Sequence, residues 1–445
     1  MEPVLIVYCR KITPRIQYIL DLILGDILGL KFSVTTENLV YEAFEGARIC
    51  YHNQPVVPGK ELIILPHGLL TEKGINSHQL SFIDFDGSRA FFPVYSKHSP
   101  IPFDLLAASF YMVSRYEEYL PYMRDEHGRF SAKSGIAAQQ GFLHVPVVNR
   151  WAIVLKKHLL ELFPSLVFRS NKFSFLPTID IDAAWSYKNK GLIRTLGGYL
   201  KDIGKLDLAE MKKRTRVLLR TEKDPFDTYQ LMLEIHSRYH LKPYFFILFS
   251  DYGLNDKNVP VNNAGFQTLV KSLADYAKVG IHPSYASNTN PVLLSKEIAR
   301  LSQVLKSEVT ASRQHFLKLS LPESYRNLIN LDITDDFTMG FAGQPGFRAG
   351  ICTPFKWYDL EAETPTELNI HPFAIMDGTL RDYLNMEADD AILQIQILID
   401  QVKAVDGTFI SLWHNESFSN EKRWVGWVNV YERMLDYIFY ADNHK

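Results

Sequence analysis

From residue 173 onward, short apolar runs alternate with loops and amphipathic segments, and this alternation restricts the possible folds more than any other feature of the chain. Residues 173–179, 243–249, 279–281, 309–312 and 408–412 read as strands, and 228–239, 265–277, 296–305, 323–328, 388–402 and 425–440 read as helices. Strands separated by helices predict parallel βαβ units, closed into a barrel or left as an open sheet. In either arrangement, functional groups collect at the carboxyl ends of the strands.

The first part of the chain has a different texture. Strands are predicted at 3–8, 61–65 and 89–95. Helices are predicted at 16–28, just after Pro14, at 103–119, with Asp104 placed to cap it, and at 151–162. Pro164 and the run Arg169, Ser170 and Asn171 mark a boundary, so residues 1–168 are expected to form a smaller α/β domain and residues 169–445 the larger unit. A chain of 445 residues with 47% apolar side chains has room for two or three such domains. Its net charge of −2 leaves no electrostatic surplus for a nucleic acid, so none is expected as a partner. Cys9, Cys50 and Cys352 are the only cysteines and form no CxxC pair, which excludes a disulfide scaffold and a thiolate-rich zinc site. No A-x-A cleavage signal follows the first residues, and the apolar run 243–249 is far shorter than the roughly 20 residues that cross a bilayer, so a cytoplasmic protein is expected.

Four of the predicted strands run directly into residues able to bind a metal or move a proton: Asp180 and Asp182 after 173–179, His282 after 279–281, His315 after 309–312, and His414 with Asn415 after 408–412. In a parallel sheet these tips converge on one face. Singly, each aspartate is as well explained as a turn or helix cap, and each histidine as a structural group. Together they offer carboxylate and imidazole ligands in the number that a catalytic divalent ion takes, leaving one position for water.

The segment PTIDID, with Asp180 and Asp182, resembles the first motif of the NodB-homology polysaccharide deacetylases (carbohydrate esterase family four). VGIHPS, with His282, is similar to the second motif, Gly346-Phe347-Arg348 with Pro354 to the arginine motif, and LWHN, with His414, to the last. The segments PFDLLAASFYMVSRYEEYL and DEHGRF resemble a domain of unknown role that accompanies deacetylase-like proteins in Bacteroidetes. The resemblance implies a distorted (β/α)7 barrel, Asp180 as catalytic base, Asp182 and His282 as metal ligands, Arg348 as the group that orients Asp180, and His414 as general acid. The family places a second histidine four residues after the first, where this chain has Ala286. His315, at the next strand tip, is expected to supply the missing imidazole; otherwise Arg313 and His315 line the pocket or hold an anionic substrate group. Asp377, beside Gly378, either orients His414 or forms a turn. Tyr285 and Trp413 adjoin motif residues and, with Arg313, are expected to contact the substrate.

These readings point to a metal-dependent hydrolase of carbon–nitrogen amide bonds, with Zn2+ as the first choice of ion. An N-deacetylase of an acetamido sugar, on a saccharide or on a lipid- or nucleotide-linked precursor, fits best. The alternatives are a carbohydrate-binding protein or a scaffold on a deacetylase-like barrel that has lost its chemistry.

Overall fold

The computed structural model describes residues 4–169 and 171–440. Its first sheet comprises β1 (Leu5–Cys9), β2 (Phe32–Thr35), β3 (Ala47–Tyr51) and β4 (Leu62–Ile64), all parallel, in the order β2-β1-β3-β4. Every residue of β1 is buried, as its uninterrupted apolar run LIVYC requires of a strand covered on both faces. The helix Pro14–Leu20 is capped by Thr13, whose hydroxyl accepts from the Ile16 amide at 3.1 Å, and it continues as a π-helical stretch over Asp21–Ile27. A two-stranded hairpin, β5 (Phe82–Phe85) and β6 (Ser88–Phe91), follows. The helix Leu105–Val113 is buried along its whole length. Asp104 caps it through the Ala107 amide and also accepts from the Tyr51 hydroxyl and the His67 amide; burial pushes this carboxyl up to about 6.

The second sheet contains β7 (Ser174–Ile181), β8 (Tyr244–Ile247), β9 (Lys278–Ile281), β10 (Ala311–Ser312), β11 (Asp335–Asp336), β12 (Phe355–Asp359), β13 (Thr364–Ile370), β14 (Ile375–Met376) and β15 (Thr408–His414). Its order is β12-β13-β11-β10-β9-β8-β7-β15-β14, and every pairing except β12 with β13 is parallel. Among the described residues the strand ladder does not close on itself. The chain bridges its two sides instead: β13 and β14 are consecutive, and in the link between them Phe373 N donates to Met339 O and Ala374 N to Ile410 O.

Strand alternation separates two interiors. Phe246, Ala311, Phe337, Phe373, Ile410 and Leu412 pack in small clusters on the inner side, with Leu176 against them. Ile179, Ile181, Phe245, Ile247, Phe409 and Trp413 point the other way, into the large core beneath the helices. That large core continues without a break into the first sheet's region. The contact is close at Gly346: a Cβ there would sit 2.5 Å from Leu143 O, and φ is +128°, so only glycine fits. Phe347 N donates to Leu143 O and Val148 N to Gly350 O across the same seam.

Candidate metal centre and active site

The register of β7 against β15 sets Asp180 directly beside His414. Asp180 is buried, and its Oδ1 accepts from Arg313 Nη1 at 2.8 Å. Arg313 itself is fully buried, with its Nε donating to Phe337 O at 3.0 Å and its guanidinium 4.7 Å from the centre of the Phe246 ring. Arg313 therefore lies beneath the carboxylate as a fixed cation, and Asp180 Oδ2 is left facing His282 Nε2 at 3.8 Å.

Asp182, one step beyond β7, meets two imidazoles. One ligand atom from each of Asp182, His282 and His315 lies within 4.8 Å of the others. His282 Nδ1 contacts Arg313 O at 2.5 Å; a carbonyl oxygen can only accept, so Nδ1 carries a hydrogen and Nε2 is the atom turned to the site, 3.2 Å from Asp182 Oδ1. His315 repeats this arrangement. Its Nδ1 donates to Asp256 Oδ1 at 2.9 Å, and its Nε2 faces Asp182 Oδ2 at 3.4 Å. Asp182 Oδ1 is buried and finds no hydrogen-bond donor among the described residues. Two imidazole Nε2 atoms turned toward the two oxygens of one carboxylate, each ring held from behind by an acceptor, form a donor set that, once a proton is displaced, suits a divalent cation with open coordination positions.

The electrostatics agree with this chemistry. Burial opposes the charge on His315, but Asp182 and Asp256 outweigh it and raise the ring to about 9. Burial likewise opposes the charge on Asp182, and His315, His282 and His414 together hold it well below the usual carboxylate range. A cation entering the site would take the place of the proton that this carboxylate now retains on its neighbours.

His414 ends β15. Its amide donates to Asp377 Oδ2 at 2.8 Å and its Nδ1 to Asp377 Oδ1 at 2.7 Å, while its Nε2 lies 3.8 Å from Asp182 Oδ2. Burial disfavours the imidazolium, but Asp377, itself wholly buried, outweighs this and lifts the ring well above its ordinary value. These groups open into a pocket of about 220 Å³ walled by Asp180, Asp182, His282, His315 and His414, with Arg129, Tyr383, Arg423 and Trp424 at its sides.

Three expected site residues lie elsewhere. Arg348 does not reach Asp180: its Nη2 and Nε donate to Glu118 at 2.6 and 2.9 Å, and its Nη1 donates to Gly340 O. The guanidinium on Asp180 belongs to Arg313, expected as a substrate contact. Trp413 is fully buried against Phe418, Trp427 and Tyr431, because strand alternation turns it away from the face that carries His414. Tyr285 stands outside the pocket wall, its ring against Phe316 with Lys318 Nζ 4.3 Å above it. Two residues that the sequence analysis did not select take part: Asp256 behind His315, and Arg129, whose Nε donates to Asp125 and whose Nη1 donates to Phe316 O at the pocket wall. Asp256 lies in the polar loop after β8, and Arg129 lies in the DEHGRF turn.

A family model described as a family of unknown function (DUF7033) matches residues 5–164. No curated protein matches the chain in sequence. Among solved structures, an inferred polysaccharide deacetylase from Mycobacterium smegmatis is similar at 12% identity and a TM-score of 0.40, over 62% of this chain and 86% of that one. An allantoinase is similar at 9% identity and a TM-score of 0.37, over 62% and 86%. A polysaccharide deacetylase from Bacillus cereus is similar at 14% identity and a TM-score of 0.29, over 59% and 87%.

Proposed function

We propose that this chain is a divalent-metal-dependent hydrolase of carbon–nitrogen amide bonds, acting as an N-deacetylase on an acetamido sugar. One observation carries the reading: Asp182, His282 and His315 present three ligand atoms to one point, between a carboxylate clamped by Arg313 and an imidazole clamped by Asp377. Bound by those three residues, a divalent ion, Zn2+ first among candidates, supplies Lewis acidity toward the acyl carbonyl and toward water. Asp180 Oδ2 accepts the proton of the attacking water, since Oδ1 is already engaged by Arg313. His414, kept as the imidazolium by Asp377, donates from Nε2 to the departing amine nitrogen. Each proton transfer is worth on the order of 10² to 10⁴ in rate.

The pocket of about 220 Å³ falls below the roughly 300–1,000 Å³ of sites that engulf a drug-sized ligand, so it suits the acyl group and the ring that bears it rather than a polymer segment. In this reading residues 169–445 carry the chemistry, on a distorted (β/α)7 barrel, and residues 1–168 form the α/β domain that lends Arg129 to its wall. The substrate is a saccharide or a lipid- or nucleotide-linked sugar in the cytoplasm. Elemental analysis of the purified protein, together with acetate release from N-acetylglucosamine oligomers and nucleotide-linked N-acetylglucosamine, tests the reading. Asp182→Ala is expected to lose both metal and acetate release; full activity in that variant overturns the mechanism, and failure to take up any divalent ion overturns the function.

A further inference from the structure

Ten residues after Asp182 the chain begins a helical hairpin, Leu192–Gly204 followed by Leu208–Leu218, whose polarity is inverted relative to an ordinary surface helix. At roughly 100° per residue, Leu192, Ile193, Leu196, Leu200 and Ile203 fall within a stripe about 100° wide. All five are exposed, by 52% to 86%. The polar side of the helix is the one that faces the protein: Arg194 donates to Asn258 O and Lys257 O, Tyr199 bonds Thr215, and Asp202 is buried against Arg214. Leu206 and Leu208 extend the apolar surface over the turn between the helices, both more than 70% exposed. A contiguous apolar surface of this kind marks an interaction site.

Its surroundings are strongly basic. Residues 188–223 hold eleven lysines and arginines against four acidic residues, a surplus of seven in a chain whose net charge is −2. Lys201, Lys205 and Lys212 are exposed on the hairpin, on the same element as the apolar stripe.

We propose that this hairpin docks the protein on an anionic lipid surface, with the leucine and isoleucine stripe in the acyl boundary and the lysines against the headgroups. Apolar side chains along one face with lysine and arginine beside them are the composition of a helix lying in the membrane interface. A nucleic acid would satisfy the lysines but leave the stripe in water. A second copy docked through the same hairpin would set two surpluses of positive charge against each other. The hairpin is also tied to the pocket rim: Lys213 pairs with Glu421, Glu210 pairs with Lys422 at 2.9 Å, and the next two residues, Arg423 and Trp424, line the pocket. Docking thus sets the pocket at the membrane surface, where a lipid-linked sugar would present its acetamido group. That last step rests on the proposed function; the docking does not.

Co-sedimentation of the full chain with vesicles tests the proposal, using pure phosphatidylcholine and phosphatidylcholine containing about 30% phosphatidylglycerol. Binding to the anionic vesicles is expected, weakened by salt, and reduced at least about ten-fold by Leu196→Glu with Leu200→Glu and, separately, by Lys201→Glu with Lys205→Glu. All four side chains are exposed, so the thermal midpoint should not move, and the two variants fail independently of each other. No binding to either vesicle, or undiminished binding by both double variants, overturns the proposal. So does a dimer in sedimentation velocity that Leu196→Glu with Leu200→Glu dissociates, which would assign the stripe to a second copy. Docking without deacetylation would overturn only the function.

Discussion

Asp256 Oδ1 accepts both the Nδ1 hydrogen of His315, at 2.9 Å, and the amide of Tyr285, at 2.8 Å, and so fixes the imidazole that faces Asp182 beside His282. The ring can neither rotate nor change tautomer without breaking that bond, which keeps Nε2 turned toward Asp182.

Replacing this acceptor tests its role. Asp256→Asn should weaken divalent-ion affinity by about 10- to 100-fold, the usual effect of losing a partner behind a metal-bound histidine, and His315→Ala should weaken it further. Competition against a chelator reads both. Unaltered affinity in Asp256→Asn would show that His315 needs no such support.

Asp377→Asn tests the proton donor. With the carboxylate gone, the His414 imidazolium loses its principal stabiliser, so its pKa falls and the protonated form is lost at a lower pH. The alkaline limb of the kcat/KM profile should move toward acid, and kcat should drop by about 10²-fold or more. A limb that stays in place assigns the acid to another group.

The Glu118–Arg348 pair predicts a structural phenotype. Burial alone would raise the Glu118 carboxyl, but Arg348 and Arg115 outweigh it and hold the group ionised. Arg348→Met removes one partner of a buried ion pair and should cost about 3–5 kcal/mol in urea unfolding, with divalent-ion affinity unchanged. The opposite pattern, weakened metal binding at full stability, would return Arg348 to the site.

His236 makes the fold acid-sensitive. Its Nε2 bonds the Tyr431 hydroxyl, its Nδ1 is buried with no partner among the described residues, and burial pulls the ring down from 6.5 to about 4. Between those values the unfolded chain binds a proton that the folded chain refuses, so stability is full above about 6.5 and falls as pH drops toward 4, by at most about 3 kcal/mol. Urea midpoints at neutral pH and at about pH 5 should differ in the wild type and differ less in His236→Gln.

The carboxylates and histidines at the strand tips are legible in the sequence because each follows an apolar run that has to be buried and stops where the run stops. Burial is a local property of such runs; pairing between distant side chains is not. Arg348 illustrates the limit. Its partner lies 230 residues upstream, and nothing around either residue encodes the pair. Trp413 shows a different limit, since adjacency to His414 along a strand places it on the opposite face. The hairpin after β7 has helical leucine spacing, but periodicity implies that an apolar stripe is buried, and here the stripe is the exposed side.

The presence of Arg129 in the pocket wall separates two kinds of information along the chain. The carboxylates and imidazoles of the candidate site all follow residue 173, whereas this cation comes from a turn more than forty positions earlier in the sequence. Substitutions in the 125–129 turn can therefore change what the cavity admits without touching the carboxylates and imidazoles at the strand tips.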